Sequence, residues 1–246
     1  MYKDEIPKRN FGIRRTPHPS LFKRHLPREG EGERRNTVIE TVKPMDIEKR
    51  SFEIIGSILE ERGIVLDEEK APVIKRVIHT TADFDYVDNL MFSENAVELG
   101  LQALKNGCGI VTDTQMAKSG INKAALSKLG CEAYCFMSDE DVALEAKERG
   151  VTRAMVSMEK AAGLDRPLIF AIGNAPTALI ALDELIKEGR LAPKLIIGVP
   201  VGFVNVVESK EIIIASKVPH IVARGRKGGS NVAAAIVNAL MYKLTR

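Results

Sequence analysis

The residues best suited to chemistry stand at glycine-rich turns between apolar runs. Arg224-Gly-Arg-Lys-Gly-Gly-Ser-Asn231 lies between the apolar run Val218–Ala223 and the Ala-rich amphipathic run Val232–Leu240. Glycine lets the backbone approach a ligand, a helix start offers unpaired N–H groups, and Arg224, Arg226 and Lys227 supply positive charge. With Gly228, Gly229 and Ser230 leading into the helix, the segment reads as an anion cradle. Three other turns follow apolar runs: Asp113-Thr-Gln-Met-Ala-Lys118, Gly173-Asn-Ala-Pro-Thr177 and Gly198-Val-Pro-Val-Gly-Phe-Val-Asn205. One such turn is what any tight strand-to-helix connection needs. Several at one edge of a sheet read as a site.

A second candidate is His79, in Arg76-Val-Ile-His-Thr-Thr-Ala-Asp83. A helix ending here places the imidazole at the negative end of its dipole, which favours the protonated form by up to ~2 kcal/mol. Asp83 adds a nearby carboxylate. Both effects raise the pKa and suit a general acid near neutral pH. The plainer alternative is a histidine that bonds the last carbonyls of its helix, and the sequence leaves both open. His220, between a proline and an apolar run, reads as structural.

Other chemistries lack their residues. There is no GxxxxGK[ST], the turn at Gly225 does not match GxGxxG, and no nucleophile elbow is present. The four histidines and three cysteines show no metal-ligand spacing, so no metal is expected. Cys108, Cys131 and Cys135 form no CxxC pair and read as small buried hydrophobes of a reducing compartment. No apolar run approaches the roughly 18 residues of a membrane span, and no secretory signal is evident, so a cytoplasmic protein is expected.

The elements that must position these residues begin at Pro44. The net charge of +3 is uneven: residues 1–45 carry 11 Lys/Arg against 6 Asp/Glu, with Pro7, Pro17, Pro19 and Pro27. This segment reads as a flexible basic arm, with residues 46–246 as the catalytic domain. The arm shows no aromatic-interleaved or helical recognition pattern, so nucleic acid is not an expected partner. Helical spacing runs from Ile47 to Leu59, stopping at Gly63. A second helix is predicted from Asp67 to about His79, and a third from Ser93 to Asn106. Five short apolar strands follow at Cys108–Thr112, Glu132–Met137, Leu168–Ile172, Leu195–Val199 and His220–Ala223, with helices between them. One of these helices is predicted to run on to Leu129, and another to be capped by Ser138. Such strands predict a three-layer α/β fold, a doubly wound flavodoxin-like parallel sheet with helices on both faces. Ligands of such sheets bind beyond the carboxyl ends of the strands, where the unusual turns collect.

Taken in order, Arg50-Ser-Phe-Glu-Ile-Ile55, Ile78-His-Thr-Thr-Ala-Asp83, Asp113-Thr-Gln-Met116, Val151-Thr-Arg-Ala154, Gly173–Leu179, Gly198–Val204 with Glu208-Ser-Lys210, and Arg224–Ser230 resemble the precorrin-8X methylmutases. That family includes the cobalt-precorrin-8 methylmutases. The resemblance covers about residues 45–245; the arm has no counterpart in it. It implies an isomerase of cobalamin biosynthesis that moves a methyl group from C-11 to C-12 of a tetrapyrrole, giving hydrogenobyrinate or cobyrinate, with no cofactor or methyl donor. The family's acid falls on His79, its substrate-contacting serine on Ser51 and its motif arginine on Arg153. It further implies a homodimer with sites near the subunit interface.

Read with the motifs, the substrate-binding set adds Thr80, Thr81, Asp113, Met116, Gly173, Asn174, Pro176, Thr177, Pro200, Gly202 and Phe203 to Ser51, Arg153 and the cradle residues Arg224, Arg226, Lys227, Gly228, Gly229 and Ser230. Cations suit the acetate and propionate rim of such a ring, and Phe203 and Met116 with Val199 and Val201 suit its apolar face. Two other classes fit the cradle: a corrinoid carrier without catalysis, and a phosphate or nucleotide binder.

Overall fold

A computed structural model describes residues 40–246. After a 3-10 turn at Pro44–Asp46, α1 spans Ile47–Glu61, stopped by Gly63 as its spacing predicts. α2 spans Ala71–Thr81 and starts four residues later than the sequence suggests. The Asp67 carboxylate accepts the N–H groups of Glu69 and Lys70 at 3.1 Å, making a turn, and Pro72 then sets the first helical turn. α3 (Tyr86–Asn89) and β1 (Leu90–Phe92) follow, then α4 (Ala96–Lys105) and β2 (Gly109–Thr112).

The single helix expected before Leu129 is instead two, α5 (Gln115–Gly120) and α6 (Lys123–Lys128). Asn122 breaks it by accepting the Ala125 N–H at 2.9 Å as a new N-cap. β3 is Glu132–Tyr134 and α7 is Glu140–Arg149. Asp139, not Ser138, holds the cap position of α7, without a cap bond; its carboxylate and that of Asp141 each take Lys160 at 2.7 Å. The remainder alternates as read: α8 (Arg153–Ala162), β4 (Leu168–Ile172), α9 (Pro176–Lys187), β5 (Leu195–Gly198), α10 (Val206–Ala215), β6 (His220–Ala223) and α11 (Ser230–Thr245).

The sheet order is β1-β6-β5-β4-β2-β3. The five strands read from the sequence are all parallel, and their order among themselves is the flavodoxin-like 2-1-3-4-5. The sixth, β1, is antiparallel to β6, with Leu90 opposite Ala223. It starts where β6 ends, and the Arg224 N–H bonds the Asn89 carbonyl at 2.8 Å. The chain leaving α2 is thereby delivered to the carboxyl edge of the parallel strands.

Helices α1, α2, α4, α5, α6 and α11 cover one face of the sheet; α8, α9 and α10 cover the other, with α7 on α8. Val73, Ile74, Val77 and Ile78 of α2 are buried, each stabilising by about 1.5–3 kcal/mol. The three cysteines are buried and unpaired. Among the described residues no helix is long and apolar enough to cross a membrane. The basic arm read before Pro44 lies almost wholly outside the described residues.

Candidate active site

The turn after β2 organises the turn after β4. Asp113 is fully buried, and its carboxylate accepts three successive backbone N–H groups: Gly173 at 2.8 Å, Asn174 at 2.7 Å and Ala175 at 2.6 Å. Burial pushes its pKa up, and the three N–H bonds oppose that rise. β2 and β4 flank the point where the winding of the sheet reverses, the usual ligand crevice of this architecture. Here a side chain of the protein takes the N–H groups that a phosphate would use at the start of α9. Asp113 therefore presents no surface to a ligand; it holds a loop.

The turns after β4, β5 and β6 pack backbone against backbone. A Cβ on Gly173 would lie 2.6 Å from Ser230 Cα and 2.8 Å from Ser230 N. A Cβ on Gly228 would lie 2.1 Å from the Val199 carbonyl oxygen. Only glycine fits at either place. The Gly229 N–H bonds the Val199 carbonyl at 2.9 Å, and the Gly202 N–H bonds the Arg226 carbonyl at 3.3 Å. Ser230 shares a 2.7 Å hydroxyl bond with Thr114, the N-cap of α5. Thr177 meets Thr152, the N-cap of α8, at 3.0 Å, and Arg153 is the first residue of α8. Pro176 opens α9. Four separate turns thus form one surface at the carboxyl edge.

The cations divide into two pairs. Arg224 bonds Glu211 at 2.9 Å. Lys227 reaches Asp83 and Asp85, both at 2.6 Å, which holds the Asp83 carboxyl below its usual range and raises the lysine. Arg153 and Arg226 are exposed and pair with no carboxylate among the described residues; Arg226 lies over the Phe203 ring at 5.9 Å. Phe203 is 84% exposed and Met116 72%, with Val201 also exposed. Val199, read with them as a ring contact, is instead in the core. Pro200 is buried, Gly202 half-buried and Asn174 exposed.

His79 occupies the last turn of α2, exposed, at the negative end of the dipole. It makes no hydrogen bond among the described residues, so it does not cap; the Ala82 N–H takes the Ile78 carbonyl at 2.7 Å, with Ala82 left-handed at φ 54°. Asp83 does not serve as its partner, because Lys227 holds that carboxylate. The imidazole instead stacks on Phe52 of α1, centroids 5.2 Å apart and planes 13° from parallel. Arg76 covers the Phe52 ring at 4.6 Å and bonds Glu48 at 2.6 Å, as does Arg246. These contacts, led by Arg246, pull the Glu48 carboxyl down to about 2. Ser51, next to Phe52, donates to the Ile47 carbonyl at 2.9 Å. Thr81 donates to the Val77 carbonyl at 2.8 Å and accepts the Asp83 N–H; Thr80 is exposed. The Lys227–Asp83 contact ties the helix end that carries His79 to the cradle.

Lys210 is absent from the residues singled out for binding. It is fully buried on α10, and its ammonium donates to the carbonyls of Gly225 (2.7 Å) and Lys227 (2.8 Å). Burial lowers its pKa to about 8. A signal was present: Val206, Lys210 and Ile213 recur at helical spacing, so the lysine stands on the core face of α10.

Comparison with known proteins adds the following. Residues 46–243 match the family model described as precorrin-8X methylmutase. A cobalt-precorrin-8 methylmutase of Salmonella typhimurium is 48% identical over 208 residues, 82% of this chain and 96% of the relative. A precorrin-8X methylmutase of Pseudomonas aeruginosa is 41% identical over 196 residues, 79% and 93% of the two chains. The crystal structure of a precorrin-8X methylmutase from Thermus thermophilus superimposes with a TM-score of 0.73 at 38% identity, covering 81% of this chain and 98% of that one.

Proposed function

This chain belongs to the precorrin-8X methylmutase family, and from that premise we propose that its carboxyl-edge surface binds a tetrapyrrole and moves one methyl group from C-11 to C-12. It is an isomerase of cobalamin biosynthesis; the migration and the residues that drive it are the proposal. One observation supports it most: four turns converge on a surface with two uncommitted arginines and exposed apolar side chains, tied by Lys227 to the helix end bearing His79. A flat apolar ring rimmed with acetate and propionate groups matches that mixture. Arg153 and Arg226 take carboxylates as forked donors, and Phe203 and Met116 lie against the ring.

His79 acts as the general acid. Its protonated imidazole donates to the conjugated ring, which makes the ring a better electron sink and eases the shift in which the C-11–methyl bond breaks as the C-12–methyl bond forms. One proton delivered and one recovered leave product and substrate isomers of each other. No group is consumed. The protein's remaining task is positioning, because the migration is intramolecular. Ser51, Thr80 and Thr81 neighbour the acid and contact substrate in this reading. The chain works as a homodimer in the cytoplasm, with residues 46–246 as the catalytic domain.

The test is spectroscopic. Purified protein, incubated separately with precorrin-8X and cobalt-precorrin-8 and no additive, converts one of them, and the preferred form identifies the natural substrate. His79→Ala loses most of the turnover, by about 10²–10⁴-fold, while product binding survives. Product uptake by wild-type protein with no change in substrate would instead identify a corrinoid carrier.

A further inference from the structure

Lys210 is a fully buried cation with no carboxylate partner among the described residues. Both of its hydrogen bonds go to backbone carbonyls of the cradle, at residues 225 and 227. Burying an ammonium without a counter-ion costs several kcal/mol, so a lysine here calls for an account beyond packing. The peptide geometry supplies one. Among the described residues there is no cis peptide bond, and in a trans peptide the carbonyl of one residue and the N–H of the next point in opposite directions. Drawing the carbonyls of Gly225 and Lys227 onto the amine therefore turns the N–H groups of Arg226 and Gly228 away from it. The intervening peptide is fixed the other way, by the bond from the Gly202 N–H to the Arg226 carbonyl. Neither the Arg226 nor the Gly228 N–H has an acceptor among the described residues.

We propose that Lys210 is a positioning residue that sets these peptide planes, so that the Arg226 and Gly228 N–H groups face away from the core and donate to carboxylate oxygens of the substrate. The inference rests on the tetrapyrrole reading above and adds where one arm is held. Backbone N–H groups that no protein atom accepts carry partial positive charge and are ready donors to an anion. The Arg226 guanidinium, on the residue that bears one of these N–H groups, lies over Phe203 and pairs with no carboxylate among the described residues. The buried ammonium beneath adds a charge that no solvent ion reaches, while Lys227, the nearest cation in sequence, is taken by Asp83 and Asp85. Gly228 is required because any side chain would strike the Val199 carbonyl.

Two measurements test this. In wild-type protein labelled with nitrogen-15, saturation with hydrogenobyrinate moves the Arg226 and Gly228 amide protons downfield, as a bond to carboxylate requires. In Lys210→Met, the Kd for hydrogenobyrinate and the KM both rise about tenfold to hundredfold, the value of one or two charge-assisted hydrogen bonds, and kcat falls by a much smaller factor. A merely structural lysine would lower the amount of active protein without moving KM. Unshifted Arg226 and Gly228 amides in saturated wild-type protein overturn the proposal, as does a folded Lys210→Met variant with wild-type Kd. If Lys210→Met does not fold, the amide shifts decide alone. Wild-type protein that binds no corrinoid overturns the functional reading and this inference together; binding without the shifts overturns this inference only.

Discussion

Replacing Asp113 by Asn keeps the shape of the side chain and removes its charge. Oδ2 accepts two N–H groups, from Asn174 and Ala175, and Oδ1 accepts one, from Gly173. An amide has only one oxygen. Placed where Oδ2 stands, it keeps two bonds and turns its NH2 toward the Gly173 N–H, donor against donor. The loss is one charge-assisted bond, about 1.5–3 kcal/mol, together with a buried unsatisfied donor, about 1–3 kcal/mol. Against this, a neutral amide is cheaper to bury than a carboxylate whose pKa burial already pushes up. The net expectation is a loss of about 2–4 kcal/mol. For a domain of this size that lowers Tm by roughly 5–15 °C.

Function falls further than stability. The Asp113 carboxylate sets where Gly173 lies, and Gly173 touches Ser230 with no room to spare. A shift of about 1 Å at the substrate surface costs around a hundredfold in rate. Asp113→Asn assayed well below its Tm should therefore lose about that factor in kcat/KM. Calorimetry and steady-state kinetics on the same preparation separate the two effects. A variant that melts and turns over like wild type would refute the assignment of Asp113 as the brace of this loop.

His79→Ala should lower kcat by about 10²–10⁴-fold, the usual worth of a positioned acid, with product Kd nearly unchanged; equal loss of both would assign the residue to binding. Gly173→Ala forces the cradle backbone to move and should destabilise by about 1–3 kcal/mol, read from urea unfolding. Asp83→Asn and Lys227→Met should be non-additive in kcat/KM, while their coupling in stability stays small because the lysine is exposed; strict additivity in kcat/KM would mean the contact does not link the helix of His79 to the cradle. Glu48, held near 2 when folded against 4.5 as a free side chain, stabilises α1 above about pH 4.5, and that contribution fades as pH falls toward 2. Glu48→Gln should therefore lower Tm slightly at pH 7 and not at all near pH 2, in a melting series across that range.

What could be read in the sequence followed from periodicity and turn chemistry. The five parallel strands are short, mostly apolar and set off by glycine- or proline-bearing turns, and burial is complete in β2, β4, β5 and β6 while β3, with Glu132, lies at the sheet edge. β1 was unreadable because three residues at a sheet edge carry no period, and its pairing depends on β6, some 130 residues later. The break between α5 and α6 was visible in Gly120 and Asn122, but the apolar pattern runs through it. At the site, residue types marked the right turns and not the partners. The apolar strand read at Leu195–Val199 already argues for a buried Val199, but nothing local says that Asp113 turns inward or that Lys227 spends its charge on Asp83. Those choices depend on backbone far away in sequence: the Gly173–Ala175 N–H groups for the first, and the segment between α2 and β1 for the second.

The inward turn of Asp113 also predicts that an architecture suited to phosphate refuses it here. An open N–H trio at the start of α9 would accept any compact anion of the right size. Filled by a carboxylate of the protein, it repels one. The cations that pair with no carboxylate among the described residues stand on different elements, Arg153 at the first position of α8 and Arg226 on the turn after β6, and a single phosphate offers little to a pair so arranged. A ligand that profits from both must carry separate anionic arms on a rigid frame, with an apolar face for Phe203. Selectivity then arises from what the protein has already occupied. Asp113→Ala is the sharp form of this argument: with the internal carboxylate gone, the Gly173–Ala175 N–H groups are vacant, and inorganic phosphate should raise the Tm of the variant while leaving that of wild type unmoved.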